Sequence, residues 1–140
     1  MSDQVDHARE QLDAAIGLFL ERQFVPALRL AGAADEILAT ALSDRGKQNF
    51  LDWKYEVLEP IFKLPRTPIL KEDFIEDENL ALNAVKHIAS ASYPFVIFDA
   101  EDAAYPIIVR ACFNSDRLGL PRTAKMLEFE NYFYENVVGM

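Results

Sequence analysis

Three stretches of this 140-residue chain repeat one hydrophobic spacing. Leu12, Ala15, Ile16, Phe19 and Leu20 fall at i, i+3, i+4, i+7 and i+8, and Ala34, Ile37, Leu38, Ala41 and Leu42 repeat the pattern. Ala104, Ile107, Ile108, Ala111 and Cys112 fill it a third time. At about 100° per residue these positions share one side of a helix, whereas a strand would alternate every second residue. A helix with such a stripe needs another helix to cover it. The expected fold is therefore all-α: a single antiparallel bundle of about five to six helices, forming one domain over residues 1–140.

Punctuation residues place the boundaries. A first helix is expected over about 8–24, and a second from Pro26 to a left-handed stop at Gly46. Ala27, Ala31, Gly32, Ala33 and Ala34 give the second a small-residue face that a neighbouring backbone can approach closely. The third starts near Gln48 with Phe50, Leu51, Trp53, Val57 and Leu58 buried, and bends or ends at Pro60. Residues 63–68 form a loop. Acidic residues from Glu72 to Glu78 then suit the positive end of a fourth helix that continues with Leu80, Ala81, Ala84, Val85 and Ile88 inward. Residues 92–98 read as an extended connector. Asp99, with Asp102 three residues on, caps a fifth helix that runs to about Leu118, with Pro106 imposing a kink or a late start. Gly119 stops it and Pro121 opens a sixth, with Met126, Phe129, Phe133 and Val137 inward.

Composition excludes several function classes. Hydrophobic residues make up 51% of the chain, too many for disorder. Fourteen Lys+Arg against 23 Asp+Glu give a net charge of −9, which repels phosphate backbones and anionic membranes. The apolar runs are too short to span a bilayer, and the acidic N-terminus lacks the features of a secretion signal. Cys112 is the only cysteine, so an intrachain disulfide and a cysteine zinc site are excluded, and a cytoplasmic location is expected.

Five scattered glycines cannot build a phosphate loop, and no G-x-S-x-G is present. Carboxylate-bridged di-metal bundles use Glu-x-x-His pairs; here Ala84 precedes His87 by three residues and Gln4 precedes His7. No metal and no cofactor is expected. Cys112 sits in the apolar stripe, where a thiol is inert packing. Phe129, Tyr132, Phe133 and Tyr134 stand among Glu128, Glu130 and Glu135, which favours core or interface packing over base stacking. Arg110, Arg117, Arg122 and Lys125 read as solvated cations near the end of the fifth helix.

One constellation carries chemistry. Asn79, Asn83 and His87, with Glu76 before them, form a polar row along one side of the fourth helix. His87 is then either an ordinary boundary histidine with its hydrogen bonds satisfied, or a proton-transfer group. Leu82 falls off the Leu80, Ala84 and Ile88 stripe, so it needs cover from another helix or from a second copy of the chain. A two-fold pairing of this helix would bring two His87 side chains together. Leu82, Asn79, Phe129 and Phe133 are the interface candidates.

The stretch Leu82-Asn83-Ala84-Val85-Lys86-His87 resembles the Arg-Asn-x-x-Lys-His form of the motif of HEPN domains, small helical bundles that typically pair as dimers. Many HEPN-like domains are metal-independent RNases whose motif Arg and His act on the ribose 2′-hydroxyl and the departing oxygen. The resemblance implies His87 as general acid/base and Asn83 as a positioning residue. Leu82 occupies the arginine position and offers neither charge nor hydrogen bond. The expectation is therefore a non-catalytic or degenerate HEPN-like protein-interaction module, a homodimer or the companion of another protein. Two alternatives stand beside it: an RNA endonuclease using His87 and Asn83, the one reading in which RNA is a partner, and a small-molecule sensor with a pocket between helices.

Overall fold

A computed structural model describes residues 3–62, 70–80, 82–83 and 99–136. Among the described residues there are six α-helices and no strand: α1 (Asp3–Leu20), α2 (Phe24–Asp44), α3 (Phe50–Phe62), α4 (Lys71–Glu78), α5 (Ala100–Arg117) and α6 (Ala124–Asn136). The helices pack against one another, as the hydrophobic spacing requires. The three apolar stripes lie on α1, α2 and α5, and α2 packs extensively against both of the others. Leu12, Ile16 and Phe19 of α1, Leu28 and Leu38 of α2, and Ile108 of α5 belong to one buried cluster, which α6 completes with Met126 and Phe129.

Left-handed residues end three helices. Gly46 (φ 67°) follows α2, with Lys47 N–H donating to Leu42 O (2.9 Å) and Gly46 N–H to Ser43 O (3.0 Å). Gly119 (φ 79°) plays the same part after α5. The first helix begins and ends earlier than its periodicity suggests, because Arg22 takes the left-handed position (φ 65°) and Gln23 N–H closes on Leu18 O at 2.8 Å.

The prolines behave differently from expectation. Pro26 lies in the third position of α2, still within the first turn, where its missing N–H removes no bond. Pro60 and Pro106 lie inside α3 and α5. Asp99 caps α5 as expected, its Oδ1 accepting from Asp102 N–H at 3.1 Å, so that helix does not start late. Pro121 does not open α6. Thr123 does: its Oγ1 accepts from Met126 N–H (3.2 Å) and its hydroxyl donates to Asp13 Oδ1 on α1 (2.6 Å). Arg9 of α1 also donates to Pro121 O, a second tie from α1 to this turn.

Two predicted faces need correction. On α3, Trp53 and Val57 are 39% and 55% exposed rather than buried. Among the described residues this helix packs chiefly on α5 and α4, and that contact leaves the Trp53 and Val57 side of it in water. The fourth helix ends at Glu78, where Asn79 adopts φ −100°, ψ 5°; helical bonding resumes with Asn83 N–H donating to Asn79 O at 2.8 Å. The break shifts the inward side: Leu80 is 57% exposed and Leu82 only 5%. Gly32 of α2 explains the choice, since a Cβ there would overlap the Leu82 side chain. Cover for Leu82 thus comes from the chain itself. The loop at 63–68, the connector at 92–98, and Ala81, Ala84, Val85, His87, Ile88 and Val137 fall outside the described residues.

Candidate functional site

The small-residue face of α2 carries one acid. Asp35 stands four residues after Ala31 and three before Leu38, both buried, so the helix turns its carboxylate inward. Arg110 occupies the matching register on α5, three residues after Ile107 and four before Asn114. The two meet as an ion pair, Arg110 Nε to Asp35 Oδ2 at 2.8 Å, with side chains only 5% and 8% exposed. This corrects the view of Arg110 as a solvated helix-end cation.

Their remaining hydrogen-bonding capacity is directed outward from the pair. Asn114 Nδ2 donates to Asp35 Oδ1 (2.6 Å), which turns Asn114 Oδ1 to accept from Phe50 N–H at the start of α3 (2.8 Å). Arg110 Nη1 donates to Asn79 Oδ1 just after α4 (2.7 Å). Four helical segments are thus joined by one chain of charge-assisted bonds. Burial raises the Asp35 carboxyl above the ordinary aspartate value, and Arg110 and the Asn114 amide oppose that rise without cancelling it.

A polar cleft of about 270 Å³ opens beside the pair, walled by Gly32, Asp35, Thr40, Asn79, Asn83 and Arg110 among others. Asn79 and Asn83, two of the three residues of the predicted row, therefore do share one cavity. The third, His87, lies outside the described residues. Arg110 is the one cation among the described residues lining the cleft, and its charge is matched by Asp35. The sequence reading missed Asp35. An opposite-charge pair at buried register positions of two apolar stripes is the signal that finds it.

The other candidates are accounted for locally. Phe129 is a core residue, edge-on to Phe19 at 5.5 Å, and Tyr132 also packs on Phe19 while its hydroxyl donates to Glu101 (2.8 Å). Phe133 is half-buried and stacks on Tyr105 at 6.0 Å. Arg122 faces Asp116 and Glu130, Lys125 faces Glu128, and Arg117 Nε donates to Gln48 O, so these cations do not converge on a common anion site. Among the described residues no group of three or more His, Cys, Asp or Glu is placed to hold a metal ion, and no helix is long and apolar enough to cross a membrane.

Cys112 lies in a groove of about 320 Å³ between α5 and α6, with Val109, Met126 and Phe133 nearby. Burial, reinforced by the Asp116 charge, pushes its thiol up to about 12. With about three pH units between this value and an ordinary thiol, native protein at pH 8 should alkylate with iodoacetamide roughly a thousandfold more slowly than urea-unfolded protein. The same shift sets a sign: the folded value exceeds the unfolded one, so the neutral thiol's contribution is intact below about pH 9 and disappears between 9 and 12. Equal alkylation rates in the two states would contradict this placement.

Comparison of the chain with protein-family models, curated proteins and solved structures finds no match, so the likeness of residues 82–87 to the HEPN motif stands on the sequence alone.

Proposed function

We propose that this chain is a cytoplasmic, non-catalytic HEPN-like helical module that works by contact with protein, pairing with a second copy of itself. The observation that carries the non-catalytic part is the state of Arg110. A phosphoryl-transfer site needs an uncommitted cation to take up developing negative charge. At the Asn79 and Asn83 cleft the described cation is neutralised by Asp35, and Leu82 is packed under α2. The contact role draws support from α3, where Trp53 and Val57 stand one turn apart with much of their apolar surface in water. The lone cysteine is compatible with a reducing compartment.

The test has two arms. Purified chain incubated with labelled single-stranded RNA should give no cleavage that His87→Ala removes. Light scattering at micromolar concentration should give twice the monomer mass, falling toward the monomer when Trp53 and Val57 are both changed to Asp. His87-dependent cleavage would replace this reading with the RNA endonuclease, and a monomeric wild type would remove the self-pairing.

A further inference from the structure

Among the residues whose burial is described, the buried cluster that unites α1, α2, α5 and α6 takes no side chain from α3 or α4. None of residues 50–60 of α3 is fully buried, and α4 buries only Phe74, which packs on Tyr55 of α3 (5.4 Å) beneath Lys54 Nζ (5.9 Å). Two ion pairs hold these helices to each other, Lys54 with Glu78 and Lys71 with Asp52, both at 2.8 Å. Among the described residues, α3 and α4 thus form an arm tied to itself by these contacts. Among the described residues, its ring and side-chain hydrogen-bond ties to the four-helix core are the Phe50 and Trp53 rings on Phe113 (5.1 and 5.3 Å) and the two polar bonds to Phe50 N–H and Asn79 Oδ1, with Arg117 donating to the Gln48 carbonyl just before α3.

Those two polar bonds have one root. Carboxylate oxygens only accept, so Asp35 obliges Asn114 to present its NH₂ inward and its oxygen outward, where Phe50 N–H finds it. The other carboxylate oxygen holds Arg110 Nε, which aims Nη1 at Asn79. We infer that Asp35 is the latch of a two-position arm: it orients the two side chains that clip the start of α3 and the residue after α4. When both clips release, α3 and α4 leave the core together while α1, α2, α5 and α6 stay folded. Undocking uncovers the face of the Phe113 ring that Phe50 and Trp53 cover and the edge of the Arg110 guanidinium that Asn79 caps. The inference is independent of the HEPN reading.

Asp35→Asn tests it with minimal change in shape. An amide at position 35 that keeps its oxygen toward Arg110 must turn its NH₂ toward Asn114, so Asn114 flips and sets donor against donor at Phe50. Amide hydrogen exchange of the intact chain, followed by mass spectrometry, should show peptides within 50–62 and 70–79 exchanging at least tenfold faster than in wild type. Peptides of α1, α5 and α6 should stay within about twofold. Equal acceleration everywhere would make Asp35 a keystone of the whole core, and unchanged arm peptides would show that it clips nothing; either overturns the latch. Should Asp35→Asn fail to fold, Asn79→Ala, which removes one clip at a half-buried site, must still speed exchange in the arm alone. Absence of that effect also overturns the inference.

Discussion

Arg110→Met is expected to lower the unfolding free energy by about 3–5 kcal/mol near neutral pH, the usual cost of stranding one member of a buried ion pair. The thioether occupies similar space, so the loss comes from Asp35, buried without its cation, and from Asn79, deprived of its donor. The pH dependence has a definite sign. Burial already raises the Asp35 carboxyl, and without the guanidinium nothing of opposite charge holds it down. A group whose folded value is raised contributes stability at pH below its unfolded value and loses it as pH rises through the folded value. The deficit of Arg110→Met should therefore shrink as pH falls from 7 toward 4. Urea titrations at both pH values check this, with Asp35→Leu/Arg110→Met as the companion. Removing both charges should cost less than removing Arg110 alone. A single substitution that costs under about 1 kcal/mol at pH 7, with no dependence on pH, would contradict a desolvated pair.

Phe19→Ala should be comparably damaging, at about 3–5 kcal/mol. The ring is 1% exposed and lies where four helices meet: Phe24 of α2 (5.2 Å), Tyr105 of α5 (6.2 Å), and Phe129 and Tyr132 of α6 (5.5 and 5.3 Å). Three of these are edge-to-face contacts, which add to the burial of the ring. Against a typical total of about 5–15 kcal/mol, such a loss brings a domain close to its folding limit. Thermal unfolding of Phe19→Ala beside Leu127→Ala separates core from surface, because Leu127 of α6 is half exposed. A Phe19 variant no less stable than the Leu127 variant would refute the assignment of that core.

The fold was legible because helical period is a local property. Three complete stripes, two stop glycines and the Asp99 cap follow from spacing alone, and the structure has all of them. Legibility failed where the deciding partner lies far away in sequence. Nothing near Leu82 announces that Gly32, fifty residues earlier, offers room for its branches, and nothing near Trp53 says how narrow a surface α5 will present. Thr123 as the cap of α6 was overshadowed by Pro121, although a threonine before a run of helix formers is itself a start signal. The candidate site was half visible. Asn79 and Asn83 follow from their row on one side of a helix, whereas Asp35 and Arg110 are seventy-five residues apart and were masked by their neighbours, one in a run of alanines and the other among surface cations.

The seating of Leu82 over Gly32 sets the rotational phase of the turn that holds Asn79 and Asn83. A single side chain dropped into the space of one absent methyl group acts as an index pin, since only one angular setting of the backbone after Asn79 brings an aliphatic branch to that spot. Slippage by one position would put the Asn83 amide where the Leu82 branches now pack against Gly32. Both asparagines thus point toward a common hollow because a leucine between them has nowhere else to go.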